Sequence, residues 1–246
     1  PADIASGPCA ADYSTYEDAC AILSKYSLGP DVIPASVLAH LEKGRCGLIP
    51  ETLKEVDLVN QPVRNHVIAT AHRSLEAAAE CVRQFGYTPF ILGDTITGEA
   101  KDVALVHAGL AREALTHGQW GSLPMALISG GECTVTLPVG VKGRGGRCSE
   151  FLLSLFAATP DLGGIAALAA DTDGIDGSEK NAGAWFTPDT RKRARDEDKR
   201  AGQYLAAHDC YGFFAELDGL VETGPTLTNV NDFRIILLPA GLGAKL

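Results

Sequence analysis

The sequence predicts an α/β fold resting on a parallel sheet, and three observations predict it. Over residues 65–115 short apolar runs alternate with longer stretches of helical period, the order of a βαβα unit, whose strands lie parallel. The apolar run at 164–169 ends in the acidic segment Asp171-Thr172-Asp173-Gly174-Ile175-Asp176-Gly177, where open α/β sheets place their ligand loops. With 246 residues, 46% hydrophobic and 21% charged, the chain is large enough for one big domain or two ordinary ones and has a globular composition.

Residues 1–60 are polar and loop-rich. A helix is expected at 15–26, where Tyr16, Ala19, Ile22 and Leu23 recur at helical spacing before Gly29-Pro30, and a shorter one at 35–41 after Pro34. N-H-V-I-A at 65–69 reads as a buried strand. At 74–85 Leu75, Ala78, Ala79, Val82 and Phe85 share one face of an amphipathic helix, closed by Gly86. T-P-F-I-L at 88–92 is the next strand, and 99–115 a long helix with Val103, Val106, His107 and Leu110 inward. The polar, Gly- and Pro-bearing stretch 118–124 marks a domain boundary, separating 1–119 from 120–246. Beyond it, 125–129 and 133–137 read as two strands flanking a tight turn at Gly130-Gly131-Glu132. A helix over about 148–158, the strand at 164–169, helices at 189–195, 197–207 and 211–217, and a strand at 234–238 complete the chain. The charge-dense run 191–200 reads as a solvated helix face.

Several function classes are disfavoured. A net charge of −10 argues against nucleic acid or an anionic membrane as partner, and no apolar run approaches bilayer-spanning length. The seven cysteines are scattered without C-x-x-C spacing, which speaks against a disulfide framework or structural zinc. H-E-x-x-H, G-x-S-x-G and G-x-x-x-x-G-K-[ST] are all absent.

Two loops carry the chemistry. Gly143-Arg144-Gly145-Gly146-Arg147, with Glu150 just beyond, opens a helix, so its free N–H groups and two guanidinium groups suit phosphoryl oxygens. Asp171, Asp173 and Asp176 offer carboxylates for Mg²⁺ or for activating a hydroxyl. Thr223, Thr226, Thr228 and Asn229 form a third polar loop able to line a nucleotide or phosphate pocket. The structural alternatives are a Gly-rich hairpin with solvated arginines, and Asp, Thr and Gly acting as turn and capping groups. His208 beside Asp209 reads as structural.

Together these segments resemble the glycerate kinases that carry a C-terminal MOFRL domain, some of which are labelled hydroxypyruvate reductases. The resemblance runs through Ile4-Ala5-Ser6-Gly7-Pro8, Gly98-Glu99-Ala100, Ile128-Ser129-Gly130-Gly131-Glu132, the Gly143–Arg147 loop with Glu150, Thr172-Asp173-Gly174 with Asp176-Gly177, Ala182-Gly183-Ala184 and Thr223-Gly224-Pro225-Thr226 with Thr228-Asn229-Val230. It covers nearly the whole chain. It implies a Rossmann-like N-terminal domain, of which 1–119 would be the later portion, a smaller α/β MOFRL domain at 120–246, and an active site in the cleft between them.

The resemblance also implies ATP-dependent phosphorylation of D-glycerate to a phosphoglycerate, with 2-phosphoglycerate the favoured isomer and the choice of hydroxyl left open, with a divalent metal such as Mg²⁺, in the cytoplasm; a homodimer is compatible with it. By the same resemblance Arg147 and Asp173 are the catalytic residues. Arg144, Gly145, Gly146, Glu150, Ser6, Gly7, Thr226 and Asn229 bind substrate or phosphate, and Asp173 and Asp176 hold the metal. Two departures stand out. Cys148 occupies a position where the family usually has Asn, so one polar ligand contact is in doubt. The family's N-terminal half, with a glycine-rich segment and a catalytic lysine, precedes Ile4, which implies that this chain alone is inactive. The competing readings are an NAD(P)H-dependent hydroxypyruvate reductase, which the spacing of Gly143–Gly146 does not suit, and a non-catalytic ligand-binding domain.

Overall fold

A computed structural model describes residues 1–241 apart from 3, 5, 6, 60 and 119. The chain divides into two compact units, Pro1–Ile68 and Ala69–Leu246. The first holds α1 (Tyr16–Lys25), α2 (Ala35–Arg45) and α3 (Glu55–Leu58). Thr15 caps α1 by accepting from the Asp18 N–H while Asp18 reaches back to the Thr15 N–H, a reciprocal box that fixes the start seen in the sequence. The strand expected at 65–69 is not formed. Val67 and Ile68 are 59% and 89% exposed, so no burial favours pairing there.

The second unit begins with α4 (Ala71–Gln84), capped by the Thr70 side chain, which buries Leu75 and Ala79 and leaves Phe85 exposed beyond its end. Then come β1 (Thr88–Glu99), α5 (Ala100–His117), β2 (Met125–Thr134), α6 (Arg147–Ala158), β3 (Ala166–Asp171), β4 (Gly183–Phe186), α7 (Pro188–Asp196), α8 (Ala201–Ala206), α9 (Cys210–Glu216), β5 (Leu220–Val221) and β6 (Asp232–Leu238). The strands form one sheet in the order β1-β2-β6-β3-β4-β5. The α/β class is as read from the sequence. The parallel pairing is confined to β1 and β2, and every other pair is antiparallel.

One difference has a local cause. Gly130-Gly131 is not a hairpin turn, because β2 runs through it unbroken. Gly131 adopts φ +117 where a side chain would collide with the β1 backbone at Ile96, and the β1 register shifts between Gly93 and Ile96. The glycines accommodate a bulge between parallel neighbours. The stretch 118–124 is a short connection between α5 and β2, both within the second compact unit, and the division of compactness falls after Ile68. Among the described residues no helix is long and apolar enough to cross a membrane.

The main core lies between one sheet face and α5, α6, α8 and α9, with Phe151, Phe186, Phe213 and Phe214 fully buried. A smaller one lies under α4 around Leu75, Ala126 and Ile128. Inside the main core His107 is 2% exposed. Its Nδ1–H donates to the Val103 carbonyl at 2.8 Å, so Nε2 accepts from the Ser129 hydroxyl at 2.9 Å and the ring is neutral. Burial pushes its pKa down to about 4. The unfolded chain, titrating near 6.5, takes up the proton first as pH falls. Stability is therefore full above the unfolded value and lost toward the folded one. Between pH 7 and pH 4 this group is expected to remove roughly 3 kcal/mol. Urea unfolding at stepped pH checks it: His107→Gln flattens the slope relative to wild type, and an unchanged slope refutes the assignment.

Candidate functional site

The sheet gathers the three polar loops at one end. β6 runs antiparallel to both β2 and β3, so its first residue, Asp232, lies beside Asp171 at the end of β3 and beside Gly131 late in β2. The acidic loop leaves β3 there, and the Thr/Asn loop enters β6 there. The two loops are knitted together. The Thr172 N–H and hydroxyl both donate to the Asn231 carbonyl, the Val230 N–H donates to the Thr172 hydroxyl at 2.8 Å, and the Thr226 N–H donates to the Asp173 carbonyl at 3.0 Å. The Thr226 hydroxyl donates to the Thr172 carbonyl.

α6 starts beneath this end, and its first residue is Arg147. Arg147 Nε donates to Asp232 Oδ1 at 2.6 Å, and Nη2 to Asp171 Oδ2 at 2.5 Å, with Glu132 at 3.8 Å. Both aspartates are buried, whereas the Arg147 side chain keeps 22% of its exposure. Burial opposes the charge on Arg147, but the two carboxylates outweigh it and hold the guanidinium protonated more firmly than usual. Burial pushes the Asp171 carboxyl up to about 6, against the pull of the Asp173 N–H and of Arg147.

Asp173 is half-buried. Its Oδ1 accepts from the Ile175 N–H at 2.9 Å and its Oδ2 from Asn229 Nδ2 at 3.3 Å, so both oxygens keep accepting capacity. Asp176 is different. Fully buried, it accepts the Cys148 N–H at 2.9 Å, the Ser149 N–H at 2.8 Å and the Ser149 hydroxyl at 2.5 Å, serving as a remote cap for α6. Among the described residues no three His, Cys, Asp or Glu side chains converge as metal ligands. The expected Mg²⁺ has no protein cage among the described residues, and Asp173 is the acidic-loop aspartate that stays half-exposed. Mg²⁺ commonly takes one or two carboxylates and completes its shell with phosphates and water.

A cavity of about 460 Å³ opens beside Arg147, a volume in the ligand-binding range. Arg144, Gly145, Gly146, Glu150 and His208 line it. Arg144 lies over the Tyr211 ring at 4.6 Å and pairs with Glu179 at 3.3 Å. The Gly145 N–H donates to the Ser178 hydroxyl at 3.2 Å. Among the described residues the N–H groups of Gly146 and Arg147 have no acceptor, which leaves an anion-binding helix start. A side chain on Gly146 would collide with Asp176, and one on Gly177 with the Gly145 backbone, so the two loops close on one another only because both are glycine. Glu150 is buried and its Oε2 lies 2.9 Å from His208 Nδ1, a hydrogen-bond contact that holds a histidine read as structural in the wall of the cavity. The Cys148 side chain is fully buried in the core, and burial pushes its thiol pKa well up.

Ser6 lies outside the described residues. Gly7 belongs to the Pro1–Ile68 unit, in a turn where its N–H donates to the Ile4 carbonyl at 2.8 Å. The residues that sequence reasoning missed are Asp232 and Arg234. Their signal was two opposite charges two apart in a strand, D-F-R-I-I-L-L, which places both on one face among buried neighbours.

The MOFRL family matches residues 125–232, and a domain of unknown function, DUF4147, matches residues 1–42. A protein of Agrobacterium vitis, named provisionally as a hydroxypyruvate reductase, is 45% identical over 238 residues, covering 97% of this chain and 59% of that protein. Glycerate kinase of Macaca fascicularis is 31% identical over 281 residues, covering 96% of this chain and 68% of that protein. The crystal structure of glycerate kinase from Thermotoga maritima superposes with a TM-score of 0.78 at 30% identity, covering 97% of this chain and 54% of that one. The chain thus spans between about half and two thirds of the length of the proteins it matches. It belongs to the glycerate kinase family whose members carry a MOFRL domain.

Proposed function

We propose that this chain forms the phosphate-handling side of an enzyme that transfers a phosphoryl group from ATP to D-glycerate, with 2-phosphoglycerate as product. The observation that carries the reading is Arg147, a guanidinium fixed by two buried carboxylates on the wall of a cavity that the Gly/Arg loop also lines. Phosphoryl transfer asks little covalent chemistry of the protein. It is governed by positioning and by stabilising spread negative charge. In this reading Arg147 offers its remaining nitrogen to the glycerate carboxylate or to the phosphoryl group in flight. Arg144 and the free N–H groups of Gly146 and Arg147 take phosphate oxygens, with Gly145 giving the backbone its close approach. Asp173 accepts the proton of the attacking hydroxyl, held in place by Asn229 and by the Thr226 contact to its carbonyl. Glu150 fixes the His208 side of the cavity. Mg²⁺, when bound, neutralises nucleotide phosphate charge, and Asp173 is the residue placed to reach it. The family's domain division, 1–119 and 120–246, is part of the same proposal.

The test is glycerate-dependent release of ADP from ATP with Mg²⁺. It is measured on this chain alone and together with the portion of the Thermotoga maritima relative that this chain does not span. Turnover is expected in the mixture and not from the chain alone. No glycerate-dependent ADP from either, with hydroxypyruvate-dependent oxidation of NADH or NADPH in its place, would overturn the proposal.

A further inference from the structure

The carboxylate behind Arg147 is itself held from deeper in the fold. Asp232 gives Oδ1 to Arg147, while its Oδ2 accepts from Arg234 Nη2 at 2.5 Å and from the Cys133 N–H at 3.1 Å. Arg234 is 1% exposed. Its Nη1 donates to the Gly130 carbonyl at 2.9 Å, and the guanidinium lies over the Phe151 ring at 5.2 Å. Four buried or half-buried charges thus alternate in sign from the core outward: Arg234, Asp232, Arg147, Asp171.

Burying such groups costs several kcal/mol per ion before pairing, and an apolar pair of similar volume would often be as stable. Stability therefore does not account for the arrangement, whereas direction does. A carboxylate gripped on one oxygen by Arg234 and by a backbone N–H cannot rotate. Its other oxygen is then a fixed point for Arg147 Nε, and Asp171 fixes Nη2. Among the described residues Nη1 of Arg147 makes no hydrogen bond.

We infer that Arg234 is a positioning residue for Arg147: acting through Asp232, it locks the guanidinium plane so that Nη1 is the nitrogen presented to an anionic ligand. The inference rests on Arg147 being the anion-binding group of the proposed enzyme. Its geometric half needs no turnover to test.

The experiment is NMR of the arginine Hε–Nε groups, with the Arg147 signal identified by its loss in Arg147→Lys. Arg191 supplies an internal control for folding, since its Nε is buried in the same unit and has no partner among the described residues. In wild type the Arg147 Hε, bonded to Asp232, is expected to exchange slowly with water. In Arg234→Met it is expected to exchange about tenfold faster or more, with the Arg191 signal unmoved, because a charge-assisted hydrogen bond has lost its fixed acceptor. Asp232→Asn, which keeps the shape and removes the charge, gives the same loss, and Asp232→Glu recovers part of it; these variants decide the matter if Arg234→Met does not fold. Inorganic phosphate is then titrated. It is expected to shift the Arg147 signal in wild type and to bind about tenfold more weakly to Arg234→Met. Slow Arg147 exchange retained in folded Arg234→Met or Asp232→Asn overturns the positioning role. A wild-type Arg147 signal that phosphate does not move overturns Arg147 as the anion-binding group, a failure distinct from the first.

Discussion

Arg147→Ala is expected, under the proposed kinase function and in the reconstituted mixture that supports turnover, to lower kcat/KM for glycerate by about a thousandfold or more. Removing one well-placed donor to developing charge typically costs about a hundred- to a thousandfold. Arg147 has a second task that adds to this loss. Its guanidinium is the shared partner of Asp171 and Asp232, both buried, so the alanine variant leaves two carboxylates without it. Stripping one member from a buried ion pair costs about 3–5 kcal/mol, and the pair would respond by taking up a proton at Asp171, whose pKa is already about 6. The activity term and the stability term separate in Arg147→Lys. A lysine keeps the charge but has no planar fork to meet two carboxylates while a further nitrogen faces the cavity. Arg147→Lys should therefore regain much of the thermal stability and little of the turnover. Steady-state kinetics alongside thermal unfolding of both variants decides it, and near-wild-type kcat/KM in Arg147→Lys would remove Arg147 from the chemistry.

Asp176→Ala is expected to destabilise the fold by about 3–5 kcal/mol, with no dependence on Mg²⁺. The N-cap residue of α6 is Gly146, which has no side chain to offer the first turn. Asp176 reaches in from the acidic loop and satisfies two N–H groups and one hydroxyl that water cannot reach. Each buried donor left unpaired costs about 1–3 kcal/mol, and the carboxylate also complements the positive end of the helix. Asp176→Asn should cost less, since its single carbonyl oxygen can still accept. Urea unfolding with and without Mg²⁺ is the measurement. A loss under 1 kcal/mol in Asp176→Ala, or one that appears only with Mg²⁺, would return Asp176 to the role of metal ligand.

These two residues show where sequence reading reaches and where it stops. The helices with strong local signals, α1, α4, α5 and α6, were legible because the apolar period lies within each segment itself. The strands β4 and β5, four and two residues long, carry no alternation to read. The parallel sheet suggested by the βαβα order became mostly antiparallel because β6 enters between β2 and β3, a pairing across more than sixty residues that no local pattern encodes. At the site, loop chemistry announced Arg147, Asp173 and Asp176 as polar groups worth naming. It could not say that Asp176 turns inward to a helix end while Asp173 stays half-exposed, since both sit in one seven-residue stretch rich in turn formers. Nor could it show that the partners of Arg147 come from the ends of two different strands.

The strand order has one more consequence. β2 and β3 do not pair with each other; β6, the last strand among the described residues, bridges them and carries both Asp232 and Arg234. In chain order the strands on either side are made before the strand that joins them, and Asp232, which holds Arg147 Nε, arrives with that strand. Closure of the sheet and anchoring of Arg147 by Asp232 are one event, so a chain that still lacks β6 has neither.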